Sequence, residues 1–305
     1  MGLDFSDKVA IVTGAGGGLG REHALALARR GAKVLVNDPG GAVDGQGNSS
    51  AAEKVVREIE ALGGIAMASH ASVTDWPAVQ AMVAQVIEHW GQIDVLVNNA
   101  GTLRDKSFAK MEMDDFRAVL EVHLMGSVHC CKAVWPHMQA ANYGRILMTT
   151  SSSGLFGNFG QSNYAAAKMA LVGLMQTLAL EGAKYNIHVN ALAPTAATRM
   201  TDGLLAPEML RALRPELVSP AMLALVHESA PTRAIVCAGA GSFEAAHITM
   251  TRGVHLSADS VPVDEMDSHL AQQWAELTDR RDDIVPDNGF VQGDLEIRKA
   301  QQKLH

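Results

Sequence analysis

The sequence predicts a doubly wound α/β domain: a seven-stranded parallel sheet with helices on both faces, followed by a C-terminal extension. Short β-branched and apolar runs recur between stretches of helical length and pattern. These runs are about five residues long and apolar throughout, as expected of strands covered on both faces. Of the 305 residues, 48% are hydrophobic and 19% charged, so a large core is available and disorder is not expected.

The first strand is KVAIVT (8–13), which runs into a glycine cluster, and LGREHALALARRG (19–31) forms an amphipathic helix stopped by Gly31. Strand KVLVN (33–37), a helix near 51–62, strand IAMAS (65–69), a helix over 75–89 and strand IDVLVN (93–98) follow. Next come a helix over 114–139, strand RILMT (145–149), a long helix from about 162 to 181 and strand IHVNAL (187–192). A helical region near 207–229 and strand AIVCA (234–238) complete the alternation. This rhythm implies one domain over residues 1–255. From about 256 onward charges, Pro, Asp and Gln dominate, with one helical stretch at 264–281. Residues 256–305 therefore read as an appended, partly helical extension.

Net charge is −8 with no run of Lys or Arg, which argues against nucleic acid as a partner. Cys130, Cys131 and Cys237 form no CxxC or Cys/His pattern, so no metal site is expected and reduced thiols are. No apolar run approaches the ~20 residues of a membrane span. The opening MGLDFS fits a myristoylation pattern only loosely, and the QKLH ending is not a peroxisomal SKL. A cytoplasmic protein without membrane insertion is the expectation.

TGAGGGLG (13–20) joins the first strand to the first helix. Glycines there let the backbone approach a pyrophosphate, and the helix N-terminus offers N–H groups and positive dipole to it. Gly14, Gly16, Gly18, Leu19 and Gly20 are the candidate cradle; a tight structural turn is the alternative. Asp38 ends the second strand, where a carboxylate accepts ribose hydroxyls and repels a 2′-phosphate. NAD is thus preferred over NADP, unless Asp38 merely opens the Pro39-Gly40-Gly41 turn.

Lys168 follows Tyr164 by one helical turn, so both share a face, although such a pair is also common on ordinary helix surfaces. A free tyrosine titrates near ~10, too high for a base at neutral pH, and a nearby ammonium is expected to lower it. A serine hydroxyl from the Ser151–Ser153 run then holds the substrate oxygen while tyrosine moves the proton.

TGAGGGLG, NNAG (98–101) and YAAAK (164–168), in this order, resemble the short-chain dehydrogenase/reductase family over roughly residues 5–255. The resemblance implies a Rossmann-like fold, an NAD-linked exchange of secondary alcohol and ketone, and a catalytic set of Ser151, Tyr164 and Lys168. The family's serine lies about thirteen residues before the tyrosine, which selects Ser151 and leaves Ser152 and Ser153 as loop spacers. Ser72, Val73, Asn98, Asn99, Ala100 and Gly101 would line the adenine and ribose side, and Pro194 and Thr198 the nicotinamide end. VNDPGGAVDGQG, LRDKSFAKM and SSSGLFGNFGQSNYAAAK narrow the likeness to (3R)-hydroxyacyl-CoA dehydrogenases of the multifunctional peroxisomal type and their single-domain bacterial relatives. A hydroxysteroid (17β-type) dehydrogenase is the alternative, and a non-catalytic NAD-sensing protein a remote one.

Two positions depart from the family. His123 in EVHLMG replaces a helix asparagine that supports the lysine, leaving its part in proton relay open. PTAAT (194–198) replaces the more usual Pro-Gly. Arg104, Lys106 and Arg199 are candidate contacts for substrate phosphates. Leu103, Leu155, Phe156, Phe159 and Met200 are candidate apolar walls, and MTDGLLAPEML (200–210) a candidate lid. The resemblance further implies a homodimer, or a tetramer, built partly on the helix that carries Tyr164.

Overall fold

The structure, a computed structural model, describes residues 2–40, 50–197 and 207–302. Its contacts group into two compact units, Met1–Ala245 and Ala246–His305. The first unit opens with β1 (Val9–Thr13), α1 (Gly18–Ala28), β2 (Lys33–Asn37), α2 (Ala51–Ala61), β3 (Ile65–Ser69) and α3 (Trp76–Trp90). β4 (Val95–Asn98) leads to α4 (Met113–Leu120), a π-helical turn over Glu121–Met125, and α5 (Gly126–Ala141). β5 (Gly144–Thr149), the short α6 (Ser152–Phe156), α7 (Ser162–Gly182) and β6 (Ile187–Thr195) follow. α8 (Pro207–Ala212), α9 (Ser219–Val226), β7 (Ile235–Gly239) and β8 (Ser242–Ala246) come last.

The strands form one sheet in the order β3-β2-β1-β4-β5-β6-β7-β8. The first seven pair in parallel, with Ile11 opposite Leu35 on one side and Leu96 on the other. Every residue of β1, β4 and β5 is buried, because helices cover both faces. The order reverses between β1 and β4, and that switch point opens a crevice at the carboxyl ends of these strands.

Local chemistry sets the element ends. Asp75 caps α3 by accepting from the Ala78 amide (3.2 Å), and left-handed Gly91 ends it. Asn142 and Asn186, both left-handed, turn the chain into β5 and β6. The eighth strand is an addition to the seven expected. It follows a two-residue turn, Ala240–Gly241, with φ of 50° and 79°, the geometry of a tight hairpin. The expected helix over 114–139 is interrupted by the π turn around His123.

The second unit contains α10 (Met266–Gln272), α11 (Trp274–Leu277) and α12 (Phe290–Gln302). The helix expected over 264–281 is divided at Gln273, and α12 was not foreseen. Met250 and Ile284 pair as an antiparallel bridge, and Thr251 Oγ1 donates to Leu277 O at 2.8 Å. Among the described residues no helix is long and apolar enough to cross a membrane.

Candidate active site

The glycine-rich turn lies at the switch point with little room to spare. A Cβ on Gly16 would sit 2.7 Å from Asp38 Oδ2 and 2.7 Å from Ala51 Cβ; one on Gly20 would sit 2.3 Å from Gly14 O. Gly14 and Gly18 have φ of 62° and 52°, which glycine adopts without strain. Gly17 precedes α1 without a side-chain cap, leaving the first N–H groups of the helix open to an anion. Leu19 packs on the hydrophobic core. Asp38 accepts from the Gly16 amide through Oδ2 (2.9 Å) and from Gly40 through Oδ1 (2.8 Å). Each carboxylate oxygen retains a lone pair for a further donor. A backbone cradle, an uncapped helix start and an oriented carboxylate together fit a dinucleotide.

The chain after β4 completes this wall. Thr13 Oγ1 accepts from the amides of Asn99 and Ala100, both at 3.0 Å. Asn99 Nδ2 donates to the carbonyls of Thr13 (2.9 Å) and Gly14 (3.1 Å), tying β4 to the glycine turn. Asn98 instead faces inward: its Nδ2 reaches the sulfurs of Cys131 and Met148, and its Oδ1 is buried without a partner among the described residues. Ser72 Oγ pairs with Thr74 Oγ1 at 2.8 Å. Val73 is buried beneath α5, where a Cβ on Gly126 would meet its Cγ2 at 2.5 Å, and His129 Nδ1 donates to its carbonyl at 2.9 Å. Sequence reasoning missed Thr13 and His129, since neither lies in a motif that names its partner.

Ser151, Tyr164, Lys168 and His123 converge at the carboxyl end of β5. Ser151 precedes α6 and its Oγ accepts from the Ser153 amide at 3.2 Å. Tyr164, in the first turn of α7, lies near enough to Ser151 for the serine hydroxyl to favour the phenolate. Lys168 Nζ lies 5.5 Å from the Tyr164 ring centre and donates to Thr149 O at 2.6 Å. Thr150 Oγ1 donates to Lys168 O at 2.7 Å, fixing the helix against β5. The expected lowering of the Tyr164 pKa is not found: burial pushes the phenol up, the Ser151 hydrogen bond opposes this, and Asp105 adds to the rise. Burial also brings Lys168 down to about 7. Both groups lose water, and desolvation disfavours the charged form of each.

The π turn aims His123 into this cluster, and its ring meets Tyr164 edge-on with centres 5.2 Å apart. Its Nε2 lies 2.8 Å from Thr102 O and 3.1 Å from Thr102 N. One ring nitrogen serves one of these at a time, and donation to the carbonyl is the shorter contact. Nδ1 is then a buried acceptor without a partner among the described residues. Burial, helped by the Lys168 charge, holds the imidazole well below its ordinary pKa, so His123 is neutral. Gly101 makes room for it, because a Cβ there would lie 2.5 Å from His123 Cε1.

The described candidate substrate contacts differ in their surroundings. Arg104 and Lys106 both pair with Asp115, at 3.0 and 2.9 Å, so part of their charge is already compensated. Leu155 is half-buried, whereas Phe156 and Phe159 are 72% and 90% exposed and pack against little. Pro194 is half-buried near the end of β6. Thr198, Arg199, Met200 and the first part of the candidate lid lie outside the described residues. Ser153, read from sequence as a spacer, is bonded on both its hydroxyl and its amide.

A family model described as short chain dehydrogenase matches residues 8–208. A putative short-chain type dehydrogenase/reductase of Mycobacterium tuberculosis is 49% identical over 90% of this chain and 94% of its own. The peroxisomal hydratase-dehydrogenase-epimerase of Saccharomyces cerevisiae is 48% identical over 92% of this chain, which spans only 31% of that protein. Among solved structures, full-length peroxisomal multifunctional enzyme type 2 from Drosophila melanogaster superposes with a TM-score of 0.80. That match has 38% identity and covers 99% of this chain and 51% of the other. A 7α-hydroxysteroid dehydrogenase complexed with NADH and 7-oxo glycochenodeoxycholic acid gives a TM-score of 0.71. It shows 32% identity over 78% of this chain and 95% of its own.

Proposed function

The chain belongs to the short-chain dehydrogenase family, and from that premise we propose that it oxidises (3R)-3-hydroxyacyl-CoA to the 3-ketoacyl thioester with NAD. As a member it is an oxidoreductase acting on a small molecule, with a site for a nicotinamide cofactor. The observation that carries the proposal is the gathering of Tyr164, Lys168 and Ser151 at one point, next to a glycine cradle closed by Asp38. The yeast hydratase-dehydrogenase-epimerase, 48% identical over 92% of this chain, supports a dehydrogenase, and the thioester is what the sequence resemblance to (3R)-hydroxyacyl-CoA dehydrogenases implies.

In this reading Gly14, Gly16, Gly18 and Gly20 let the backbone approach the pyrophosphate, and Asp38 accepts the adenosine ribose hydroxyls. The carboxylate also disfavours the 2′-phosphate of NADP. When bound, NAD supplies the hydride acceptor. Ser151 donates to the substrate oxygen, and Tyr164 takes the hydroxyl proton as the carbonyl forms. Lys168 steadies the phenolate and holds the nicotinamide ribose. Burial opposes both charges, so the polar groups of the bound cofactor are needed to keep the ammonium protonated at working pH. Neutral His123 packs on the Tyr164 ring and leaves Nδ1 available to a water.

Reduction of NAD is to be followed at 340 nm with (3R)-hydroxydecanoyl-CoA and with a 17β-hydroxysteroid. Turnover of the thioester with NAD, and little with NADP, is expected. Brisk steroid oxidation with an inert thioester would instead select the hydroxysteroid reading, which the likeness to the 7α-hydroxysteroid dehydrogenase favours. We place the protein in the cytoplasm as a homodimer. The exposed Met169, Gly173 and Leu180 of α7 support pairing through that helix.

A further inference from the structure

Gln161 occupies a junction that none of these roles uses. It immediately precedes α7, yet its side chain does not cap that helix. Its Oε1 accepts from the Ser153 hydroxyl (2.8 Å) and from Asn158 Nδ2 (2.9 Å), while its Nε2 donates to Asp105 Oδ2 (2.6 Å). Three segments therefore meet on one amide. The α6 segment carries Ser153, whose backbone amide donates to Ser151 Oγ. The helix that starts after Gln161 carries Tyr164. The loop after β4 carries Thr102, which holds His123, and Asp105, whose charge acts on the phenol.

We infer that Gln161 is a positioning residue for the reaction: its amide sets how Ser151 and Tyr164 stand to one another and keeps the Asp105 carboxylate beside them. The inference rests on the assignment of Ser151 and Tyr164 as the reacting pair. An amide suits the junction, because its oxygen takes two donors while its nitrogen supplies one. A carboxylate would accept the same two donors and repel Asp105. The Ser153 hydroxyl, held by Gln161, fixes the turn whose amide donates to Ser151 Oγ. That donation polarises the Ser151 hydroxyl and makes its proton a better donor to a substrate oxygen.

The loop does not depend on Gln161 alone. Lys106 N donates to Gly160 O at 2.9 Å, and buried Asn163 donates from Nδ2 to Arg104 O at 3.0 Å while accepting the Tyr164 amide at 2.7 Å. A variant at 161 should therefore fold. The charged and titratable groups facing Tyr164 are Asp105 from the loop, Lys168 from its own helix and His123 from the π turn. Lys168 is fixed by Thr149 O and His123 by Thr102, which leaves Asp105 as the group whose place Gln161 controls.

The test compares Gln161→Ala, Gln161→Glu, Asp105→Asn and the double variant Asp105→Asn/Gln161→Glu. Two readouts are taken: NAD reduction with (3R)-hydroxydecanoyl-CoA, and tyrosinate absorbance against pH. The chain has three tyrosines, so subtracting the titration of Tyr164→Phe isolates Tyr164. Gln161→Ala should lower kcat roughly 10- to 100-fold, the scale of small misplacements in a site, with the KM for NAD unchanged. Its Tyr164 should also titrate at lower pH, because Asp105 swings away. Asp105→Asn should lower the Tyr164 titration but hold kcat within about 3-fold, since the new amide still accepts from Gln161. Gln161→Glu should be as slow as Gln161→Ala, and the double variant should recover, the new amide at 105 donating to the new carboxylate at 161. Wild-type kcat or an unmoved Tyr164 titration in Gln161→Ala, or no recovery in the double variant, overturns the inference. If the wild type leaves the thioester untouched, the proposed substrate fails instead, and the titration still reads Gln161 without any substrate.

Discussion

Lys168 is a buried ammonium with one backbone acceptor, and its pKa near 7 records what that burial costs. Folded protein holds fewer protons at this site than unfolded chain between about pH 7 and the ordinary 10.5, so stability should rise with pH across that window. Lys168→Met should flatten the rise, read as denaturant midpoints at pH 7, 8 and 9. Gly101 is a second sensitive point, because a methyl group there would press on the His123 ring at 2.5 Å. Gly101→Ala should displace His123 and Tyr164 together and lower kcat by at least about 10-fold, with less effect on the KM for NAD. The residues of the site were legible to different degrees. The spacing of Tyr164 and Lys168 is common on helix surfaces, and the resemblance both singles out that pair and picks Ser151 from its neighbours. The edge-on packing of His123 against Tyr164 was not legible, since a π turn shifts helix register and leaves no composition signal.

At the scale of elements, the glycine turn works by what it lacks. Gly16→Ala would drive a Cβ into Asp38 and Ala51, so the Kd for NAD should rise by about 10-fold or more, measured by titration calorimetry. Thermal stability should fall less if α1 keeps its buried face. The alternation of apolar runs and amphipathic stretches was enough to read the parallel strands β1 to β7, most plainly in β1, β4 and β5, where burial on both faces makes most residues apolar. β8 escaped because Ser242–Ala246 is mostly exposed and carries little apolar pattern. α12 escaped because its apolar pattern is weak: Phe290 and Ile297 are exposed, Val291 and Leu295 are only half-buried, and Gly293 interrupts the first turn. Arg104 and Lys106 illustrate a different limit. Their cationic character was plain in sequence, but their shared partner Asp115 lies on α4, which only the folded chain brings near.

For the whole molecule, buried neutral histidines tie stability to acid. His23 is held at about 3 by burial and His123 well below 6.5, so the folded state takes up fewer protons than the unfolded chain below pH 6.5. Stability should therefore fall as pH drops from 6.5 toward 3, and His123→Asn should soften the decline as followed by circular dichroism. The family relationship, the crevice at the switch point and the Ser151–Tyr164–Lys168 cluster all bear on one claim, that this chain moves a proton through Tyr164 while NAD takes the hydride. The most direct measurement is NADH formation from (3R)-hydroxydecanoyl-CoA by the wild type and by Tyr164→Phe, with NAD binding followed in parallel by protein fluorescence. Loss of turnover by about 1,000-fold or more with an unchanged NAD Kd is the predicted result, in keeping with the upper range of general acid–base contributions. Turnover by Tyr164→Phe at the wild-type rate would contradict the account.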